Sequence, residues 1–273
     1  MTHPLYEALR AVTPLASVLL ARNPSPMTLE GTNTWVLRAP GVEECVVIDP
    51  GDEDEEHLKL VAAHGPVALV LLTHRHHDHA GGARTFAELT GAPVRALDRS
   101  LVLGSEALGD GDVVAAAGVE LRVVHTPGHT SDSLSFLLDG PTEGPLTGPG
   151  IGTSPGPVVL TGDTILGRGT TVIAHPDGTL GPYLDSLRRL ADLAPGTVVL
   201  PGHGPELPDA SAVAAAYLAH REQRLEQVRD ALTQLGPDAS ARAVVELVYA
   251  DVDEALWPAA ELSVRAQLEH LRV

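Results

Sequence analysis

The sequence predicts an α/β fold followed by a small all-helical region, on three observations. Short apolar strand patterns alternate with helical patterns between Trp35 and Leu200, polar glycine-containing signatures follow several of those strands directly, and beyond Pro208 only helical patterns remain. The chain has 273 residues, 44% of them hydrophobic, which supplies one large core and a small appendage. The expected division is 1–208 for the α/β domain and 209–273 for the helical one.

The elements follow in order. Trp35–Arg38 and Cys45–Ile48, joined through Ala39-Pro40-Gly41, read as a hairpin that ends at Asp49-Pro50-Gly51. An acidic helix over Glu53–Ala63 leads into Val67–Leu72, a continuous apolar run of the length of a strand buried on both faces. Next come a helix over Gly82–Thr90 and strands at Val94–Leu97, Leu121–His125 and Leu134–Leu138, with an Asp110-Gly111-Asp112 turn among them. Eleven of the eighteen residues from Gly140 to Pro157 are Gly or Pro, a composition of a long loop rather than a core element. Strand Val158–Leu160, a helix over Tyr183–Leu193 and strand Thr197–Leu200 complete the first part. Helices over Ala210–Leu235, Ser240–Tyr249 and Ala255–Leu271 form the second. The N-terminal stretch Met1–Arg22 is mildly amphipathic and lacks the pattern of an export signal.

Charge and cysteine usage narrow the function classes. With 36 acidic and 18 basic side chains the formal charge is −18, which disfavours a nucleic-acid scaffold held by net charge but leaves room for a local basic groove. A single cysteine, Cys45, rules out an intramolecular disulfide and a cysteine-rich metal site, so any metal must use His and carboxylates. No apolar run reaches the roughly 18 to 20 residues of a membrane span, and a cytoplasmic protein without membrane partners is expected.

Chemistry concentrates at Thr73-His74-Arg75-His76-His77-Asp78-His79, a His-x-His-x-Asp-His pattern at a strand end. Alternate side chains of an extended segment share a face, so His74 and His76 can reach one ion, while a turn beginning at Asp78 brings Asp78 and His79 towards a second. Three later strand ends offer more ligands: His129 in Thr126-Pro127-Gly128-His129, Asp163 in Thr161-Gly162-Asp163, and His203 in Pro201-Gly202-His203-Gly204. The simplest partition gives His74, His76 and His129 to one metal and Asp78, His79 and His203 to the other, with Asp163 bridging. Two cations about 3.5 to 4 Å apart would lower the pKa of a shared water, so that hydroxide attacks a carbonyl or phosphoryl centre. Asp78 and Asp163 are the expected catalytic carboxylates, Asp78 also orienting the water.

These signatures, in this order, resemble the metallo-β-lactamase superfamily over about residues 15 to 208. The resemblance implies a four-layer αβ/βα sandwich of two mixed sheets between helices, and two Zn²⁺ ions, with Mn²⁺ or Fe²⁺ as substitutes. The segments Asn23–Thr34, His125–Ser131 and Gly162–Thr171 are similar to the branch of lactamase-β-like protein 2, which also has a helical, winged-helix-like C-terminal appendage. Its relatives include an animal single-strand endoribonuclease and fungal thioesterases that release polyketides from acyl carrier protein. Zinc β-lactamases usually have Cys where Asp163 stands, so that activity is not expected. Glyoxalase II is less similar in the Gly31–Thr34 and Gly167–Thr170 segments.

The expected function is therefore metal-dependent hydrolysis of a thioester or related acyl ester, small or linked to a carrier protein. Single-stranded RNA is the alternative substrate, a glyoxalase II-type reaction the third, and non-catalytic metal binding the outside reading. Three further residues are weaker substrate-site candidates. Asn33 either offers its amide to a substrate oxygen or satisfies its own turn; His175 and Tyr183 either donate a proton or hydrogen bond to substrate or serve the structure. The C-terminal helices carry Arg221, Arg224, Arg229 and Arg242 interleaved with acids, a layout expected of a lid or a homodimer surface rather than a basic nucleic-acid module.

Overall fold

The computed structural model describes residues 6–138 and 157–272. Eleven strands and seven α-helices are arranged as β1 (Arg10–Ala11), β2 (Ala16–Leu20), β3 (Asn33–Leu37), β4 (Cys45–Ile48), α1 (Glu55–Ala62), β5 (Val67–Leu71), α2 (His77–Ala80), α3 (Ala83–Thr90), β6 (Val94–Arg95), β7 (Val113–Ala116), β8 (Val119–His125), β9 (Leu134–Leu138), β10 (Val158–Gly162), α4 (Leu180–Ala191), β11 (Val198–Pro201), α5 (Ala210–Leu235), α6 (Ala241–Val248) and α7 (Trp257–Arg272). All but Pro157 of the Gly/Pro-rich stretch expected to be a loop lies outside the described residues.

Two sheets form, in the orders β1-β2-β3-β4-β5-β6 and β11-β10-β9-β8-β7. In the first, β1 to β4 pair antiparallel and β4, β5 and β6 run parallel. In the second, β7 to β10 pair antiparallel and β10 runs parallel to β11. The strand period of two sorts side chains between layers. Trp35, Leu37, Val46, Ile48, Leu69 and Leu71 face Leu121, Val123, Leu134, Phe136, Leu138 and Leu160 across the space between the sheets. Their alternates Val36, Val47 and Val70 pack outward on Leu58 and Val61 of α1 and Phe86 of α3. On the far side, Val159 and Val199 pack on α4 and the first half of α5. The result is the four-layer αβ/βα order.

Helix ends follow local chemistry. The Asp54 carboxylate accepts from the Glu56 and His57 amides at the start of α1, and α3 stops at Gly91 in the left-handed region, φ +74°. Asp209 and Ser240 cap α5 and α6. α5 serves two cores: Ala210, Ala214, Tyr217 and Leu225 join the layer on the second sheet, whereas Val228 and Ala231 join Val244, Val245, Val264 and Leu268 in a small helical core. From 209 onward the described residues form helices and no strand.

Three local expectations change. The N-terminal stretch read only as amphipathic supplies β1 and β2, with Val18 and Leu19 buried on opposite faces of the sheet. Val113–Ala116 is strand β7, an edge strand too short and too exposed on alternate residues to stand out by apolar pattern. Helix α4 begins at Leu180 rather than Tyr183. Because Phe136 is fully buried between the sheets, Phe136→Ala is expected to lower unfolding stability by roughly 3 to 5 kcal/mol, measured by denaturant titration.

Candidate metal centre

The seven His and Asp residues singled out in the sequence converge at the carboxyl ends of strands from both sheets. His74 and His76 follow β5, and Asp78 and His79 lie on α2, whose first residue comes directly after His76. His129 follows β8, Asp163 follows β10 and His203 follows β11. Main-chain bonds hold these ends together: Leu134 N donates to Thr73 O (2.8 Å) and Asn33 N to Gly202 O (2.8 Å), each joining the two sheets.

Three overlapping groups of donors form, each with its ligand atoms within 4.8 Å of one another: His74, His76 and His129; His74, His79 and Asp163; and Asp78, His79 and His203. His76 Nδ1 lies 3.1 Å from His74 Nε2 and 2.9 Å from His129 Nε2. His203 Nε2 lies 3.2 Å from His79 Nε2 and 3.1 Å from Asp78 Oδ2. Asp163 stands between the outer groups, its Oδ2 3.3 Å from His203 Nε2 and 3.7 Å from His129 Nε2, its Oδ1 3.4 Å from His79 Nε2.

The second ring nitrogens of His74, His79, His129 and His203 are fixed by neighbours, which determines which nitrogen faces the cluster. His79 Nδ1 is 2.8 Å from Asp49 Oδ2, His129 Nδ1 2.6 Å from Val172 O, His203 Nδ1 3.1 Å from Gly31 O and His74 Nδ1 3.0 Å from Thr73 Oγ1. Asp49 also accepts from Thr73 N (2.7 Å) and Thr73 Oγ1 (2.6 Å). It is therefore a positioning residue for two ligand-bearing segments, and its φ of +52° is a rare conformation for a residue other than glycine. Sequence reading saw it only as the end of a strand. Its one mark in the sequence is an acid directly after an apolar strand and before Pro50-Gly51.

The charges divide in two. Burial holds the His74 imidazole well below its ordinary range, His76 below it and His129 at about 4. Burial also opposes charge on His79 and His203, but Asp163 and Asp78 outweigh it, raising His203 to about 9 and His79 well above its usual value. Reciprocally, burial pushes the two carboxyls up while the adjacent imidazoles bring Asp78 down to about 2 and Asp163 well below its ordinary range.

The donor set fits divalent cations on features of its own. Imidazole and carboxylate are the ligands that suit zinc, iron and related ions. Asp163 Oδ1 is buried with no hydrogen-bond partner, an expensive state for a carboxylate oxygen unless an electrophile completes it. A Cβ on Gly202 would come within 2.5 Å of that oxygen and 2.7 Å of His79 Cε1, so glycine keeps the seat open.

The three weaker candidates do not join this cluster. Both amide hydrogens of Asn33 are taken, by Pro201 O (3.0 Å) and Gly204 O (2.9 Å). Asn33 thus staples the His203 turn to β3 rather than offering its amide to a substrate. Tyr183 is fully buried, its hydroxyl donating to Thr164 O (2.8 Å), and burial pushes the phenol up. Its backbone and Cβ back the His129 loop, where a Cβ on Gly128 would approach Tyr183 Cβ to 2.3 Å. His175 pairs through Nε2 with Glu269 of α7 (3.0 Å), tying the loop after β10 to the C-terminal helices.

A cleft of about 310 Å³ opens from the cluster, with His129 and Asp163 in its wall. Met27, Leu29 and Leu166 line it together with Val252, Leu256 and Ala260 of the C-terminal region, with Arg168, Arg221 and Arg224 among the polar residues.

The family model described as "Metallo-beta-lactamase superfamily" matches residues 27–203. The chain belongs to the metallo-β-lactamase superfamily. A second model, "Beta-lactamase associated winged helix domain", matches residues 240–272. The superfamily chain is similar to a beta-lactamase-like protein 2 homolog of Drosophila melanogaster, 33% identical with 96% of this chain and 90% of that protein covered. It is also similar to an atrochrysone carboxyl ACP thioesterase of Aspergillus fumigatus, 32% identical with 82% and 67% covered. Among solved structures, a beta-lactamase domain protein from Burkholderia ambifaria shares the fold, with TM-score 0.76 at 24% identity, covering 99% of this chain and 89% of that one. A protein solved in a di-iron-bound form is 28% identical with TM-score 0.51, covering 70% and 94%.

Two outcomes follow. Asp49→Asn is expected to weaken metal binding or activity roughly 10- to 100-fold, measured by chelator competition, without removing a ligand. Because His79 and His203 hold protons in the metal-free protein at neutral pH, binding a cation must displace them. Affinity is expected to rise as pH goes from 6.5 towards about 9 and to fall below that window, with proton release visible as buffer-dependent binding enthalpy.

Proposed function

We propose that the chain is a two-metal hydrolase that cleaves a thioester or related acyl ester. His74, His76 and His129 would hold one cation and Asp78, His79 and His203 the other, with Asp163 between them and zinc the expected metal. The observation that carries the reading is the cleft: a half-open space of about 310 Å³ that begins at Asp163 and His129 and has Met27, Leu29, Leu166, Val252 and Leu256 in its lining suits an acyl chain ending at the cluster.

The chain's own residues perform three tasks. Met27, Leu29 and Leu166 exclude water from the bound acyl group. Asp78 and Asp163, held as carboxylates at neutral pH, accept hydrogen bonds without carrying a proton and keep negative charge beside the imidazoles. Asp49, Gly31 O and Val172 O keep ring orientations fixed, so the site does not reorganise during reaction. His220, the imidazole on the cleft wall outside the cluster, is held below its ordinary pKa by burial and by Arg221 and Arg224. Divalent cations, when bound, lower the pKa of a water and polarise the scissile oxygen. A thiolate leaving group, whose conjugate acid has a pKa of about 8.5, departs without a proton donor, which favours a thioester over an ester.

Single-stranded RNA is the second reading, favoured by Arg168, Arg221 and Arg224 in the same cleft. The net charge of −18 opposes it. A paired turnover assay decides between them, offering zinc-loaded protein an acyl thioester and a labelled single-stranded RNA. Thioester cleavage that falls at least about 100-fold in Asp163→Ala is expected. RNA cleavage lost in that variant, with thioesters untouched, overturns the acyl reading.

A further inference from the structure

The wall of the cleft is charged against the sign of the whole chain. The net charge is −18, yet the cleft lining contains three arginines and one carboxylate, Asp163, which belongs to the metal cluster. Arg168, at the rim, is paired with Glu30. Arg221 and Arg224, one turn apart on α5, have no acidic partner among the described residues. Arg221 is only 3% exposed; it donates to Thr171 O, its guanidinium lies 5.2 Å from the Tyr183 ring centroid, and its Nε has no hydrogen-bond partner. Next to it, His220 Nδ1 is also buried and unpartnered. Arg224 is held in place by Val248 O (3.2 Å) and Gln227 Oε1 (2.9 Å), and it stacks 4.5 Å from the Tyr249 ring centroid. A buried, preorganised guanidinium without a counter-charge is unfavourable unless an anion completes it.

The site is also linked to the reaction centre. Thr171 accepts the Arg221 bond through its carbonyl, while its hydroxyl lies 3.3 Å from His129 Nδ1. A substrate with its scissile carbonyl at the cluster can therefore extend along the aliphatic wall to these arginines.

We infer that Arg221 and Arg224, with His220 beside them and Arg168 at the rim, receive a second anionic group of the substrate, a carboxylate or a phosphate, and so select an acyl thioester that carries one. The inference rests on the acyl reading above. A carboxylate at the far end of the acyl chain and a phosphate on the thiol side are the two sources of that charge.

The test compares matched substrates on zinc-loaded protein: pentanoyl with glutaryl thioesters of N-acetylcysteamine, and pentanoyl pantetheine with pentanoyl phosphopantetheine. The charged member of one pair is expected to be favoured about tenfold or more in kcat/KM, through KM, and the pair that responds identifies the source. Arg224→Gln should cut that preference about fivefold or more, while Arg229→Gln, exposed and paired with Glu226 on the same helix, leaves it intact. Equal turnover of charged and neutral members in both pairs, or an unchanged preference in Arg224→Gln, overturns the inference while leaving the hydrolase reading standing. Turnover of no thioester overturns the acyl reading; calorimetric titration with glutarate and inorganic phosphate then decides the anion site, which stands if Arg224→Gln weakens binding of either about tenfold and falls if it weakens neither. RNA cleavage that needs Arg224, without discrimination among thioesters, assigns the arginines to RNA phosphates and also overturns it.

Discussion

The segments that carry the His and Asp cluster leave two different sheets, and the cluster exists only because the ends of those sheets are stitched edge to edge. Leu134 N to Thr73 O and Asn33 N to Gly202 O cross between the sheets, and the Asn33 side chain and Trp35 Nε1 add bonds to the β11 turn. The packing of the inner apolar faces sets the distance between the layers, and the hydrogen bonds set their relative slide. Close approach then depends on absent side chains: Gly128 lies against Tyr183 and Gly202 against Asp163, where a Cβ would displace the neighbour. Position, more than residue type, turns dispersed histidines into a single site.

Electrostatics within that site divides labour between its halves. Around His74, His76 and His129, burial dominates and the rings are neutral and ready to act as ligands. Around His79 and His203, Asp78 and Asp163 overcome burial and hold both imidazoles above their ordinary range. Asp49 extends the network one layer outward and couples the β4 end to the β5 end through Thr73 and His79. The C-terminal helices add an opposite field: in a chain of net charge −18 they bring Arg221 and Arg224 to the cleft that leaves the cluster. The appendage thereby forms a wall of the site as well as a separate small core.

The histidine motif was legible because four imidazoles and a carboxylate within six positions have no packing explanation. The other candidate ligands were legible because each follows an apolar strand and stands beside a glycine, as Asp163 does after Gly162. Asp49 was not, since an acid before Pro50-Gly51 looks like any strand terminator until its carboxylate is seen on His79. Asn33 carried two meanings in the sequence, and only its bonds to Pro201 O and Gly204 O separate them. β7 and β1 escaped because short, half-exposed edge strands carry little apolar signal.

By itself the sequence determined the alternation of elements, the two-sided burial of the central strands and the identity of the donor residues. These are local matters of periodicity and side-chain chemistry, readable without knowing what lies opposite. The tertiary structure alone decided which ring nitrogen faces the cluster, which carboxylate orients it, and that Arg221 and Arg224, more than fifty residues from the last strand-end aspartate, border the same cleft. Such relations depend on long-range packing, where a hydrogen bond between residues 30 or 168 positions apart leaves no mark on either local segment.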